Sequence, residues 1–307
     1  MPPEPTVAVL VMAYGTPGSA DEIEAYYTHI RRGRPPTPDQ LADLVRRYDA
    51  IGGISPLAER TGAQVAGMQR ALDQAEPGRY RVFSGSRHAP PFIEDAVAEI
   101  VQAGFADVIA LVLAPHYSAL SVGQYFERVA AAFDDTDAAV AVTYVQDWHL
   151  EPGLIDLLAV RLTDALSTFS AGAVVETLMT AHSLPARLLE MDDPYPDQLR
   201  QTAEAVSVAA GVERWRQAWQ SAGRTPDPWL GPDILEVIER LPAEGVDGVV
   251  VCPVGFVSDH LEVLYDVDIE ARNVAEAAGL RLERTASLND DPAFLSMLAA
   301  VVTSAAT

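Results

Sequence analysis

Apolar, largely β-branched runs punctuate the first half of the chain at 7–12, 80–84, 108–113 and 140–145, each bounded by Gly, Pro or charged positions. Continuous apolarity over five or six residues, without polar alternation, marks a strand buried on both faces, the habit of a parallel sheet covered by helices. Between these runs the apolar positions recur with helical spacing over 20–30, 37–48, 57–75, 93–103 and 123–133. Strand and helix in alternation is the signature of a doubly wound α/β unit.

The pattern then repeats. Strands are predicted at 173–180, 216–219 and 248–251, with a weaker one at 280–285, separated by helices at 194–211, 232–241 and 259–278. A helix over 151–167 would connect the halves, and a last helix over 292–306 would pack back on the first. The expected fold is therefore α/β: two similar Rossmann-like domains, 1–149 and 150–291, with 292–307 joined to the first. Each is expected to hold a parallel four-stranded sheet flanked by helices, with a cleft between them. A chain of 307 residues exceeds what one core usually serves, which agrees with two domains.

Composition narrows the possible partners. With 21 Lys and Arg against 44 Asp and Glu the formal charge is -23, which repels nucleic acid. No apolar run is long enough to cross a bilayer and the N-terminus lacks the basic start of a leader, so a cytoplasmic protein without integral membrane association is expected. One cysteine, Cys252, excludes an internal disulfide and an iron–sulfur cluster built by one chain. No G-x-G-x-x-G follows the first strand, which removes the best evidence for nucleotide binding.

In open α/β sheets ligands bind beyond the carboxyl ends of the strands. There the sequence places Tyr14-Gly15-Thr16-Pro17, His88, His116-Tyr117-Ser118, His182-Ser183-Leu184-Pro185, Gln220-Ser221 and, after the seventh strand, His260 and Glu262. A lone buried histidine is as often structural as functional; convergence of several on strand ends favours function for His182.

In the segment 258–270, Asp259 followed by Glu262 reads as a capping box that starts a helix. Glu262, Asp266 and Glu270 recur every four residues, stacking three carboxylates on one helical face. A solvated acidic stripe explains this spacing as well as a path for a divalent cation. Carboxylate oxygens with one imidazole suit ferrous iron that must be released again.

On charge alone, the basic segment 29–35 is better explained as a solvated turn. It could also grip an anion. Adjacent glycines in 50–57 bring backbone and the Ser55 hydroxyl within reach of a flat ligand. The stretch 225–232, rich in proline with one tryptophan, serves equally as a pocket wall or a stiff loop.

Taken together and in order, Met12-Ala13-Tyr14-Gly15-Thr16-Pro17, Tyr27-Thr28-His29-Ile30-Arg31-Arg32-Gly33-Arg34, Ile51-Gly52-Gly53-Ile54-Ser55-Pro56-Leu57, Ala181-His182-Ser183-Leu184-Pro185, Trp219-Gln220-Ser221 and Asp259-His260-Leu261-Glu262-Val263-Leu264-Tyr265-Asp266 closely resemble the ferrochelatase family. The chain is most similar to the coproporphyrin III ferrochelatases of Gram-positive bacteria, in which a tyrosine stands at the position of Tyr14. The resemblance implies the two-domain chelatase fold and insertion of Fe²⁺, as substrate, into coproporphyrin III to give coproheme. It implies that His182 and Glu262 handle the iron, and that Tyr14 is an axial ligand of product iron. By the same resemblance Arg31, Arg47, Tyr48, Ser55 and Tyr125 lie against the porphyrin and its propionates. Asp266 and Glu270 would form an outer divalent site, with Mg²⁺ as a candidate occupant.

No other cofactor is implied, and the iron–sulfur cysteines of many actinobacterial relatives are missing. A monomer in transient contact with coproheme decarboxylase is the implied setting. An imidazole with a free pKa of about 6.5 is poised to take a pyrrole proton, with a carboxylate to orient it; His182 is accordingly the expected base and iron ligand, Glu262 its partner. Rival readings are a protoporphyrin IX ferrochelatase, another tetrapyrrole chelatase, a non-catalytic porphyrin or heme carrier, and a binder of some unrelated anion. Tyr14, and the expectation that no second histidine adjoins the metal pair, weigh against the first two.

Overall fold

A computed structural model describes residues 5–223, 225 and 227–306. The chain divides into two compact units. The N-terminal unit comprises Met1–Ala114, Ser121–Trp148 and Asn289–Thr307; the C-terminal unit comprises Pro115–Leu120 and His149–Leu288. The loop 115–120 thus leaves the N-terminal unit, although it follows one of that unit's strands.

In the N-terminal unit the chain runs β1 (Val7–Ala13), a 3₁₀ turn (Ala20–Glu22), α1 (Ile23–Ile30), α2 (Pro38–Ala50), α3 (Leu57–Ala75), β2 (Tyr80–Ser86), α4 (Ile93–Gln102), β3 (Asp107–Val112), α5 (Val122–Asp134) and β4 (Ala141–Val145). Its sheet is parallel in the order β2-β1-β3-β4. Central β1 is buried from Ala8 to Ala13, as its unbroken apolar run requires. Helix α2 begins where Thr37 and Gln40 form a reciprocal capping box with Pro38 in the first turn, the start signal that fixes where its basic residues fall.

Next comes the C-terminal unit: α6 (Pro152–Leu166), β5 (Val175–His182), a 3₁₀ turn (Ala186–Met191), α7 (Tyr195–Ala210), β6 (Trp215–Gln220), α8 (Ile234–Arg240), a 3₁₀ turn (Leu241–Glu244), β7 (Gly248–Cys252), α9 (Leu261–Leu264), a π-helical segment (Asp266–Ala271), α10 (Arg272–Ala277) and β8 (Arg281–Arg284). Its parallel sheet has the same order, β6-β5-β7-β8. Leu178, Val249, Val251 and Leu282 from the sheet pack with Ile238, Val267, Ala271 and Ala275 in one core.

The last helix, α11 (Pro292–Ala305), packs in the N-terminal unit. Gly67 on α3 lies against Leu295, whose Cδ1 would have to shift to admit a Cβ there. Gln64 Nε2, fully buried, donates to the Asn289 carbonyl at 2.8 Å and anchors the entry to the helix.

Two expectations are corrected. The helix predicted over 259–278 is not one continuous α-helix, because the Glu270 amide donates to the Tyr265 carbonyl at 2.9 Å, widening one turn. Nor does Asp259 cap it. His260 is the N-cap, its Nδ1 accepting the Glu262 amide at 3.0 Å, while Asp259 accepts from Ser287 Oγ at 2.7 Å and pairs with Arg284 at 3.3 Å.

Candidate active site

A strand order of 2-1-3-4 places a topological switch point between the first and third strands of a unit, and a crevice at their carboxyl ends. In the C-terminal unit those strands are β5 and β7. The last residue of β5 is His182, and the segment after β7 carries His260 and Glu262.

Topology therefore brings His182 Nε2 to 3.4 Å from Glu262 Oε1. The other ring nitrogen, Nδ1, bonds the Ser183 carbonyl. A carbonyl can only accept, so Nδ1 keeps its proton and Nε2 is the atom that can lose one and take a metal. Both side chains remain reachable, at 31% and 38% exposure.

Burial by itself would depress the His182 pKa, but the charge and hydrogen bond of Glu262, the Ser183 carbonyl and the charge of Asp266 outweigh it and push the group up to about 9. At neutral pH the free pair is thus an imidazolium facing a carboxylate, whereas an imidazole at its ordinary value would be mostly neutral.

The surroundings hold this pair still. Tyr195 Oη donates to the His182 carbonyl at 3.0 Å. Buried Gln220 donates through Nε2 to the Glu262 carbonyl at 3.1 Å and accepts from Thr180 Oγ1 at 2.9 Å. Gly255 lies so close to β5 that a Cβ would sit 2.5 Å from Ala181 Cβ. The loop carrying Trp229 is zipped to the residues after His182: the Leu230 amide donates to the Leu184 carbonyl at 2.9 Å, and Ser183 Oγ donates to the Leu230 carbonyl at 2.8 Å. Within the predicted 225–232 wall, Pro226 falls outside the described residues.

The three carboxylates predicted to share one face have different environments. Glu262 faces His182; Asp266 is only 6% exposed and accepts from Ser221 Oγ; Glu270 is half-buried on the widened turn. Among the described residues, no group of three or more His, Cys, Asp or Glu side chains is arranged to hold a metal ion.

Against expectation, a second histidine does adjoin the pair. The charges of His182 and Glu262 act on half-buried His260; desolvation lowers its pKa, opposed by Glu262 and Asp259. Its position just before Glu262 was visible in the sequence, but its role as cap was not. Tyr195, thirteen residues beyond His182, carried no sequence signal at all.

In the N-terminal unit Tyr14 follows β1 and is 41% exposed. Its ring centroid is 4.6 Å from that of His88, whose Nδ1 lies 3.0 Å from His29 Nδ1. Burial, with the charges of Arg87, His29 and Arg128, lowers the His88 pKa to about 3. One Nδ1 must donate and the other accept; neutral His88 can do either.

The remaining expected porphyrin contacts also lie in this unit. Tyr48 and Ser55 are 2% and 8% exposed, and the Tyr48 hydroxyl lies 3.4 Å from Thr16 Oγ1. Tyr125 is 5% exposed beneath the Arg87 guanidinium. Arg47 donates to Asp43 at 3.2 Å. Arg31 stacks over Tyr27 and donates to the Arg34 carbonyl at 3.2 Å.

Each unit is a parallel four-stranded sheet flanked by helices, the fold of solved chelatases, and in the C-terminal unit the switch-point strand ends on a histidine that faces a carboxylate. Solved structures with the same fold include CbiX, described as the terminal enzyme of siroheme biosynthesis in denitrifying bacteria (15% identity, TM-score 0.55, covering 97% of this chain and 98% of that one). Another is the sirohydrochlorin chelatase SirB of Bacillus subtilis subspecies spizizenii in complex with cobalt (11%, TM-score 0.59, 98% and 95%). The chain itself belongs to the ferrochelatase family, whose model, described as Ferrochelatase, matches residues 6–306. It is 44% identical over 298 residues to a ferrochelatase of Herpetosiphon aurantiacus, covering 96% of this chain and 98% of that protein. Similarity to coproporphyrin III ferrochelatases is of the same order: 44% over 302 residues for Geobacillus thermodenitrificans (97% and 95%) and 41% over 300 for Bacillus subtilis (96% and 96%).

Proposed function

We propose that this chain inserts Fe²⁺ into coproporphyrin III to give coproheme. The observation that carries the reading is the His182–Glu262 pair, with Nε2 and Oε1 3.4 Å apart, at the switch point of a ferrochelatase-family fold. The substrate reading is supported by the coproporphyrin III ferrochelatases among its relatives and by the exposed Tyr14.

Insertion must remove two pyrrole N–H protons and pass the cation to the ring nitrogens. At rest the pair already holds one proton on His182. Fe²⁺ arriving at Nε2 competes with that proton and drives it off, so iron capture is coupled to proton release. As the iron passes from Nε2 to the ring nitrogens, Nε2 and the Glu262 carboxylate are freed to receive the two pyrrole protons, with the pair titrating as one unit. The Nδ1–H bond to Ser183 keeps Nε2 aimed at the reaction throughout.

Arg31 and Arg47 supply charge-assisted bonds to propionates, alongside Tyr48, Ser55 and Tyr125. Tyr14 takes the axial position on product iron. An outer Mg²⁺ would fall to Asp266 and Glu270, but Asp266 is nearly buried and already engaged by Ser221, so no step runs through that ion. The same reading has a cytoplasmic monomer handing coproheme to coproheme decarboxylase. Among the described residues no helix is long and apolar enough to cross a membrane.

His182→Ala is expected to abolish anaerobic iron insertion while coproporphyrin III still binds, seen as quenching of its fluorescence. Near-normal turnover in this variant would overturn the assignment.

A further inference from the structure

Five carboxylates crowd the segment after β7: Asp259, Glu262, Asp266, Asp268 and Glu270. Two of them do not face the metal pair. Asp268, in the middle of the π-helical segment, is gripped bidentately by one edge of the Arg284 guanidinium, with Nε to Oδ1 at 2.7 Å and Nη2 to Oδ2 at 2.9 Å. The remaining nitrogen, Nη1, lies 3.3 Å from Asp259 Oδ1 and donates to Ser287 Oγ at 3.2 Å, while Ser287 Oγ donates to Asp259 at 2.7 Å.

One side chain at the end of β8 therefore fastens the loop before α9 and the segment after it. Arg284 is 13% exposed, and its partners 27% and 20%, so these bonds are largely sheltered from water. Arg272 reinforces the attachment, donating to the Asp268 carbonyl at 3.2 Å and across to the Leu282 carbonyl at 2.8 Å.

We infer that Arg284 is a positioning residue for iron capture: by clamping Asp259 and Asp268 it fixes the ends of the short stretch that presents Glu262 to His182, and withdraws two of the five carboxylates from the approaching cation. The inference rests on the proposed role of the His182–Glu262 pair. Glu262 sits between the two fastened points, three residues after Asp259 and six before Asp268. Its amide is tied to His260, which directly follows Asp259. A planar, five-donor guanidinium can make all of these bonds together; an ammonium cannot.

The test compares wild type with Arg284→Gln, Arg284→Lys and Asp268→Asn in anaerobic iron insertion with coproporphyrin III. Thermal melting and porphyrin fluorescence quenching are measured on the same preparations. Loss of a bonded group behind a metal ligand commonly weakens metal affinity about 10- to 100-fold. The apparent KM for Fe²⁺ is accordingly expected to rise at least about tenfold in all three variants, with the dissociation constant for coproporphyrin III within about twofold of wild type. Arg284→Lys should fail to rescue, because fork geometry and not charge alone is required. A purely structural arginine would lower the melting temperature and the active fraction while leaving the KM for Fe²⁺ unchanged; that result, or full rescue by lysine, overturns the inference. A wild-type chain that binds coproporphyrin III without turning it over overturns the proposed function, and the inference with it.

Discussion

Replacing Glu262 by Gln removes one charge from the His182 pair at nearly constant volume, and its effect on the imidazole follows from the balance around the ring. The climb of His182 from an ordinary 6.5 to about 9 is the excess of carboxylate attraction and hydrogen bonding over the opposing effect of burial. At about 1.4 kcal/mol per pH unit that excess is ~3 kcal/mol; with Glu262 38% exposed, solvent screening reduces it to about 2 kcal/mol. Without the carboxylate, burial dominates and the group is expected to titrate at or below 6.5. Because the folded-state pKa is raised, the pair stabilises the fold fully below pH 6.5 and loses that contribution as pH rises through 9. The stability gap between wild type and Glu262→Gln should therefore be widest near pH 6 and shrink by about 2 kcal/mol toward pH 10. Imidazole resonances of ¹⁵N-histidine-labelled protein, followed from pH 5 to 10, read the titration directly. A His182 resonance that still titrates near 9 in Glu262→Gln would refute the reasoning.

Other expectations concern the groups around the pair. Gly255→Ala would put a Cβ within 2.9 Å of the Ala181 main chain, next to His182; we expect a loss of about 1–3 kcal/mol from overpacking and slower insertion. An unchanged melting temperature would contradict that close approach. If Tyr14 ligates product iron, the optical spectrum of the ferric coproheme complex changes in Tyr14→Phe, and an identical spectrum removes Tyr14 from the iron.

Most of the fold was legible because buried parallel strands write themselves as unbroken apolar runs, and helices as spaced ones. His182 was legible for the related reason that it follows a predicted strand, where ligands of such sheets bind. The π-helical segment was not, because its widened turn is a choice among backbone hydrogen bonds that the spacing of Glu262, Asp266 and Glu270 does not encode. The sequence favours Asp259 as cap by residue type alone, yet Arg284 and Ser287, more than twenty residues downstream, capture its carboxylate and leave the cap to His260. The state of His182 was likewise hidden. Its pKa is set by a carboxylate eighty residues away in sequence, so an ordinary value near 6.5 was the natural expectation and about 9 is what the packed site imposes. Buried Tyr195 and Gln220, which hold the backbone at His182 and Glu262, look like any other core-facing polar residues until the bonds are seen.

Anaerobic iron insertion followed by absorbance, with coproporphyrin III and protoporphyrin IX supplied separately, tests the central claim most directly. The account predicts fast metallation of coproporphyrin III, weak or no metallation of protoporphyrin IX, and loss of both in His182→Ala. Preference for protoporphyrin IX would contradict the substrate assignment, and tight binding of coproporphyrin III without metallation would make the chain a carrier.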